Sequence, residues 1–418
     1  VVYPGTAEHR CPKQSAHRLI VCTVLDGRGT LTPMNERVVR AVPSGIFPQV
    51  VPVLGDDRIR LRAMSEVDLP LVVEQSHDPD SVRWTTVPRP YDLDTARAFL
   101  SLHTEGWADA AGTKHWAIEV LPHDTAGGLP FAGIIDLRPD AKGGAWETGF
   151  VLHPGARGRG VMSTALRLAA TWAFDHGAPS LYWFAERGNF ASWRVAHACG
   201  FTLHSTLPHR LAARDGSGTD AWVASLLPDQ PMLPATAWIE SPLIQDDGLR
   251  LRAIRDDDTA IAEPHDHPPH FLPARAVPTP QTFDDWLLRR REGMSLGRSI
   301  NWCIADTTTD EALGEVLIFV HDGTLAAGGT AELGYAIRPS ARGRGLARQA
   351  ARLAADHALR PVAEGGRGLR RLVARTAADN EASNRVLRGA GFSVWGREEA
   401  ADAPGGGVGP ATHWERLS

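Results

Sequence analysis

Two nearly identical turns carry the residues best suited to chemistry. PGARGRGVM at 154–162 and PSARGRGLA at 339–347 each follow a strand-like run and open a helix-like one. Glycines let a backbone come close to a bound anion and accept left-handed φ. The N–H groups of a helix's first turn point outward with the helix dipole behind them. The arginines add charge-assisted donors. The chemistry that fits is phosphate binding. Neither turn is a Walker loop, which needs GxxxxGK[ST]. GRGVMS and GRGLAR both lack the third glycine of the dinucleotide fingerprint. RGRG also occurs in RNA-binding RGG segments, but two isolated copies in net acidic, foldable sequence do not make one. A plain strand-to-helix turn with solvated arginines is the alternative, and recurrence in matching contexts speaks against it.

The elements that must hold these turns also come twice. RIRLRAMSEVDL (58–69) matches GLRLRAIRDDDT (248–259), WETGFVLHPGARGRG (146–160) matches AELGYAIRPSARGRG (331–345), and GNFASWRVAHACGF (188–201) matches DNEASNRVLRGAGF (379–392). The order is kept and the offset stays about 190 residues, far too long for a solenoid repeat. The pattern predicts a duplicated domain: 34–229, a Pro-rich linker at 230–240, and 241–418, with 1–33 as a disordered arm. Each copy starts on an alternating strand, with Ile59, Leu61 and Ala63 on one face, and Leu249, Leu251 and Ala253 likewise. Helical sequence follows, including 92–107 with Asp92 or Asp94 as N-cap. Strands are predicted at 115–121, 131–138, 301–307 and 312–320. Then come the strand ending at Pro154 or Pro339, the glycine turn, and a helix that stops near Gly177 in the first copy. Further strands at 180–185 and 371–376 lead to a short helix closed by Gly200 or Gly391. Strands at 220–227 and 412–418 end the copies. The fold class is mixed α/β, one sheet with helices on both faces, made twice.

Bulk properties bound the function. The chain has 418 residues, 43% hydrophobic and 22% charged, with a net charge of −5. That excludes a disordered chain and gives no footprint for nucleic acid or an anionic membrane. Cys11, Cys22, Cys199 and Cys303 are dispersed and form no CxxC pair, which suits a reducing cytoplasm. No apolar run approaches the roughly 20 residues of a membrane span, and no signal peptide is read. HDHPPH brings His265, His267 and His270 together, but two prolines and the lack of a nearby thiolate argue for substrate contact or a lid over a metal site.

Taken with the downstream Asn-x-x-Ser and Gly-Phe, the two copies resemble the acyl-CoA loop and following helix of the GNAT superfamily of N-acetyltransferases. Within it they resemble the Rim-type branch, which modifies N-terminal amines of ribosomal proteins, and its relatives that act on small molecules. VRWTTVPRPYDLDTARAFL (82–100) resembles that branch's acceptor side. The resemblance implies a mostly antiparallel sheet split at the CoA strand, with pantetheine alongside Leu152 and Ile337. It implies pyrophosphate on Arg157, Gly158, Arg159, Gly160, Val161 and Met162, and on Arg342, Gly343, Arg344, Gly345, Leu346 and Ala347. Met162 stands where the family has Gly or Ala, so its side chain either crowds the pyrophosphate or points aside. Asn189 and Asn380 are implied CoA contacts or N-caps. Ser192 and Ser383 are implied thiolate acids, since the family's more common tyrosine is replaced by Ala196 and Leu387. Glu147 and Glu332, five residues before Leu152 and Ile337, are the candidate bases. Trp84, Tyr91, His267 and His270 are the acceptor-side candidates, and no metal is expected.

The expected function is transfer of an acyl group from acetyl-CoA to a primary amine, of a small molecule or a protein N-terminus, by direct attack in a ternary complex. Two alternatives stand beside it: a non-catalytic acyl-CoA-binding regulatory module, and one active domain beside a degenerate one. A monomer and a homodimer are both compatible with the sequence.

Overall fold

The computed structural model describes residues 50–122, 127–273, 275–404 and 406–418. The expected arm at 1–33, with Cys11 and Cys22, lies outside the described residues. The first copy folds as β1 (Leu54–Gly55), β2 (Ile59–Arg62), α1 (Leu69–His77), α2 (Pro79–Trp84), α3 (Leu93–Ala108), β3 (Lys114–Val120), β4 (Leu129–Arg138) and β5 (Trp146–Leu152). It continues with α4 (Val161–Asp175), β6 (Leu181–Glu186), α5 (Phe190–Ala198), β7 (Thr202–Ala212) and β8 (Gly218–Leu226). The second copy runs β9 (Ile244–Asp246), β10 (Leu249–Arg252), α6 (Phe283–Ser295), β11 (Ser299–Asp306), β12 (Ala312–Phe319), β13 (Thr330–Ile337), α7 (Leu346–Leu359), β14 (Arg371–Ala377), α8 (Glu381–Gly389), β15 (Ser393–Asp402) and β16 (Val408–Leu417).

Each copy builds one eight-stranded sheet, ordered β1-β2-β3-β4-β5-β6-β8-β7 and β9-β10-β11-β12-β13-β14-β16-β15. All neighbours are antiparallel except β5/β6 and β13/β14. Those two parallel steps are the ones that need a crossover, and α4 and α7 supply it. Helices cover both faces because adjacent strand residues point opposite ways. On β3, His115 faces α3, whose His103 ring stacks on it at 3.8 Å. The next residue, Trp116, faces α4, whose Trp172 ring lies 5.3 Å away. α4 buries Val161, Met162, Ala165, Leu166, Ala169, Ala170 and Ala173 at helical spacing against that side.

The repeat extends to buried polar detail. Arg62 forks onto Asp68 (2.7 and 2.9 Å), and Arg252 onto Asp258 (2.7 and 2.8 Å). Trp116 and Trp302 occupy one position of the fold, and each donates Nε1 to a proline carbonyl, of Pro52 and Pro242, at 2.9 Å. The opening strands are shorter than their alternation suggested. Both end at the arginine, so Ala63 and Ala253 are exposed, and the buried residue is the next one, Met64 or Ile254. The prolines at 264, 268, 269, 273, 278 and 280 leave the described residues of 263–282 without an α-helix, whereas the first copy has α1 and α2 there.

The two domains meet through α6. Glu292 takes a forked ion pair from Arg187 (2.7 and 2.8 Å) and a bond from Trp222 Nε1 (2.9 Å). Asp285 adds a bond to Arg187 (3.2 Å), and Ser295 accepts from Trp193 Nε1 (3.2 Å).

Candidate active site

The parallel strands hold together for only three residues. β5 pairs with β6 at Trp146–Thr148, and β13 with β14 at Thr330–Glu332. Beyond that, Gly149–Leu152 and Leu333–Ile337 have no partner on that side. Each sheet therefore opens a wedge whose walls carry unpaired backbone N–H and C=O groups. An extended amide chain entering the wedge would meet a row of hydrogen-bonding groups, as an added strand does. Leu152 and Ile337 sit at the open ends. On the far side, Gly133 and Gly314 press against them. A Cβ at either glycine would lie 3.0 Å from the Cα of Leu152 or Ile337.

The glycine turn follows at the mouth of each wedge. Gly158 and Gly160 (φ 73° each), and Gly343 and Gly345 (φ 78° and 77°), are left-handed. Nothing occupies the space a Cβ would take at Gly158, Gly160 or Gly343, and at Gly345 only the Arg348 guanidinium comes within 4.0 Å. Gly160 and Gly345 are the N-caps of α4 and α7. The N–H groups that reach back to those caps are those of Thr164, on the Gly160 carbonyl, and Gln349, on the Gly345 carbonyl, both at 3.2 Å. The donors before them face outward from an open, positively polarised helix end. This cradle fits a pyrophosphate.

The leading arginines are tied down. Arg157 is held by Asp78, Asp80 (2.9 Å) and the Leu152 carbonyl (3.5 Å). Arg342 is held by Asp266, His265 Nδ1 (3.2 Å) and the Ile337 carbonyl (3.3 Å). Each braces the turn against the end of the wedge strand and the acceptor-side segment. Arg159 and Arg344 are less engaged: Arg344 touches Asp306 at 3.5 Å, and Arg159 has no ion pair among the described residues. Met162 is 3% exposed in the domain core, so its side chain points aside from the turn. Val161 and Leu346 are buried with it, and Ala347 packs against its own core.

Across the wedge stand the first turns of α5 and α8. Asn189 and Asn380 cap them, each side chain accepting from the N–H of Ser192 or Ser383 at 3.1 Å. Ser192 Oγ accepts from Trp183 Nε1 (3.1 Å), which leaves the hydroxyl proton free to be donated elsewhere. In the second domain, Tyr335 of β13 donates its hydroxyl to the Ser383 carbonyl (3.3 Å), and burial pushes its phenol up to about 12.

The carboxylates lie on the opposite face, where the strands part. Glu147 is ion-paired with Arg138, which also binds Asp136 (2.9 Å). Glu332 bonds His321 Nε2 (2.9 Å). Both glutamates belong to the paired stretch, and Gly149 and Gly334 stand two residues further on, inside the wedge.

The family model for the acetyltransferase (GNAT) domain matches residues 58–202 and again 248–393. The chain belongs to the GNAT acetyltransferases. It carries two GNAT domains in tandem and is an N-acetyltransferase with acetyl-CoA as its acyl donor. No curated protein matches the sequence. Among solved structures it is similar to the microcin C7 self-immunity acetyltransferase MccE in complex with acetyl-CoA and AMP (15% identity, 41% of this chain and 93% of that one, TM-score 0.37). It is also similar to Mycobacterium smegmatis RimJ in complex with CoA-disulfide (14%, 44% and 91%, TM-score 0.38). A third is a GNAT-family acetyltransferase from Bacillus anthracis (16%, 42% and 98%, TM-score 0.36).

The acceptor-side residues of this GNAT pair divide. Trp84, under the Arg83 guanidinium at 4.1 Å, lies by Gly188 at the α5 N-terminus. His270 reaches the matching place in the second domain through Asp379 (2.9 Å), the residue before Asn380. Tyr91 departs from its expected role: it is 6% exposed in the small core between α1, α3 and β4, and burial pushes its phenol up. His267 lies near His265 (ring centroids 5.2 Å, planes tilted by 59°), with its Nδ1 on the Pro268 carbonyl (3.3 Å). His265 spends its Nδ1 on Arg342, and no group of three or more His, Cys, Asp or Glu converges among the described residues. No described helix is long and apolar enough to cross a membrane. No motif or spacing in the sequence singles out Asp136, Arg138, His103, His115 or Tyr335. The only sequence signal for the first two was polar residues in a strand, FAGIIDLR, whose counterpart ALGEVLIF is apolar at both positions.

Proposed function

We propose that this protein transfers the acetyl group of acetyl-CoA to a primary amine that arrives as a cation, either of a small molecule or of a peptide N-terminus, by direct attack with both substrates bound. The observation that carries the reading is the three-residue pairing that gives way to an open wedge, with a left-handed glycine turn and a bare helix N-terminus at its mouth. Gly158–Met162 and Gly343–Ala347 would hold the pyrophosphate, and the unpaired edges leading to Leu152 and Ile337 the pantetheine amides. The acyl donor supplies the thioester, and this chain's residues supply protons and position.

An ammonium must lose a proton before its nitrogen can attack. A carboxylate near the parting takes it; Glu147 and Asp136 stand there in the first domain, and Glu332 holds the corresponding position in the second. The leaving sulfur needs a proton, and Ser192 offers one that Trp183 leaves uncommitted. Ser383 holds the same position in the second domain. Asn189 and Asn380 fix these serines by capping their helices. Trp84 and His270 flank the acceptor entrance. The test is thiol release from acetyl-CoA across a panel of amines, with CoA binding followed separately by calorimetry. CoA binding without thiol release for any amine overturns the reading.

A further inference from the structure

The two domains differ most where the amine must lose its proton. In the first, one face of the sheet carries a polar row in register: His115 on β3 opposite Asp136 on β4, Asp136 opposite Gly149 on β5, and Arg138 opposite Glu147. Tyr182 of β6 stands beside Glu147. Gly149 is the first residue past the parting, and a Cβ there would lie 2.9 Å from Asp136 Oδ2 and against Arg138. These two side chains thus overhang the vertex of the wedge. In the second domain the same register positions hold Asn301, Leu317 and Phe319, and Gly334 is overhung by the Leu317 and Phe319 side chains.

The charges on the row do not balance. Arg138 is one cation between two carboxylates, Asp136 and Glu147. His103 of α3 is 4% exposed with both ring nitrogens unpartnered, and it stacks on His115 with ring planes 8° apart. Two stacked imidazoles at that distance cannot both be cations, and burial holds both below their usual range. The row is therefore one negative charge in excess, with the Asp136 side chain 15% exposed. An ammonium group completes it.

Resting on the acetyltransfer reading above, we infer that Asp136 is the catalytic base of the first domain and that amine acetylation by this chain runs there. One proton passes from the acceptor ammonium to an Asp136 oxygen. The freed amine forms a C–N bond with the thioester carbonyl, the C–S bond breaks, the departing sulfur takes the Ser192 proton, and the nitrogen's second proton returns to Ser192. Asp136 then releases its proton to solvent. Burial raises the Asp136 carboxyl to about 6, against the opposing pull of Arg138, which suits a base working near neutral pH. Glu147 is a positioning residue that acts through Arg138.

The full-length protein is assayed for thiol release from acetyl-CoA with spermidine, tryptamine and an unblocked Ala-Gly-Ser tripeptide between pH 5 and 9. With the best acceptor, kcat climbs through an acidic limb near pH 6. Asp136→Asn lowers kcat by about 100-fold or more, with acetyl-CoA affinity unchanged by calorimetry, and Asp136→Glu restores part of it. Arg138→Gln removes the cation that holds Asp136 down and moves the acidic limb to higher pH. A residue that only supports the fold would not shift that limb, so this measurement decides the matter if Asp136→Asn fails to fold. Less than a tenfold loss in Asp136→Asn, or an acidic limb unmoved in Arg138→Gln, overturns the assignment and leaves acetyltransfer standing. Acetyl-CoA binding with thiol release for none of the three amines overturns both.

Discussion

Replacing Met162 by alanine separates two meanings of a bulky residue in the pyrophosphate turn. If its side chain crowded the anion, truncation would tighten CoA binding. The structure places that side chain in the core at 3% exposure, next to Val161, Ala165 and Leu166. Truncation then removes buried atoms and leaves a cavity that neighbours only partly fill. Substitutions of this kind cost about 2–5 kcal/mol. The α4 start sits beside the solvent-facing turn and can relax somewhat, so about 3 kcal/mol is expected for Met162→Ala. For a domain of this size that corresponds to a fall of roughly 6–12 °C in its melting temperature. The assay is scanning calorimetry alongside CoA titration, both below the melting range of the variant. CoA affinity should change by less than about twofold, because the N–H of residue 162 is kept whatever the side chain. Binding that tightens tenfold with no loss of thermal stability would refute the burial argument.

Three other outcomes follow from the same geometry. Gly160→Ala and Gly345→Ala each force a left-handed φ on a side chain, about 1–2 kcal/mol of strain, and put a methyl into the cradle; each should abolish CoA binding in its own domain, read as one lost site in calorimetric stoichiometry. Glu292→Ala strands Arg187 and the Trp222 indole N–H at a joint where Glu292 is 18% exposed; a loss of about 2 kcal/mol, below the fully buried range, should appear as a lower urea midpoint and altered tryptophan fluorescence. The His103 and His115 rings are held to about 2 and about 4 by burial, so the unfolded chain binds more protons than the folded one below pH 6.5. Stability is therefore whole above that pH and falls on acidification, by about 2 kcal/mol for His103 alone between pH 6.5 and 5. Asp136, raised to about 6, works the other way between roughly pH 4 and 6 and softens the slope. Melting curves of His103→Leu should be flatter over pH 5–7 than those of the wild type.

The fold was legible because the duplication let each copy check the other. PGARGRG alone is an ambiguous turn, whereas its recurrence in register with Asn-x-x-Ser and Gly-Phe is a domain signature. β7 and β15 are not legible in the sequence because they are mostly exposed edge strands, without the alternation that a half-buried strand shows. The candidate site was legible where backbone shapes the turn, at Gly158, Gly160, Gly343 and Gly345, because a left-handed turn constrains residue type. It was illegible where side chains gather from distant strands. His103, His115, Asp136 and Glu147 meet only through sheet register and a helix laid across it, and no spacing in the chain encodes that. Tyr91 misled because an aromatic in an acceptor-side segment serves a small core as readily as an open site.

The joint at α6 mates unlike surfaces: the helix of one domain against the β6–α5 corner of the other. Repetition of such a contact does not close on itself and would string domains into a fibre. A duplicated sequence starts with both halves of that joint on both copies, so the outer copy would carry an open corner ready for another chain's helix. At the positions of Arg187, Trp193 and Trp222, that outer corner has Ala378, Asn384 and Thr412. Asn384 there turns inward to Thr376 (2.6 Å). The corner has lost its grip on a helix, and assembly by this contact stops at two domains.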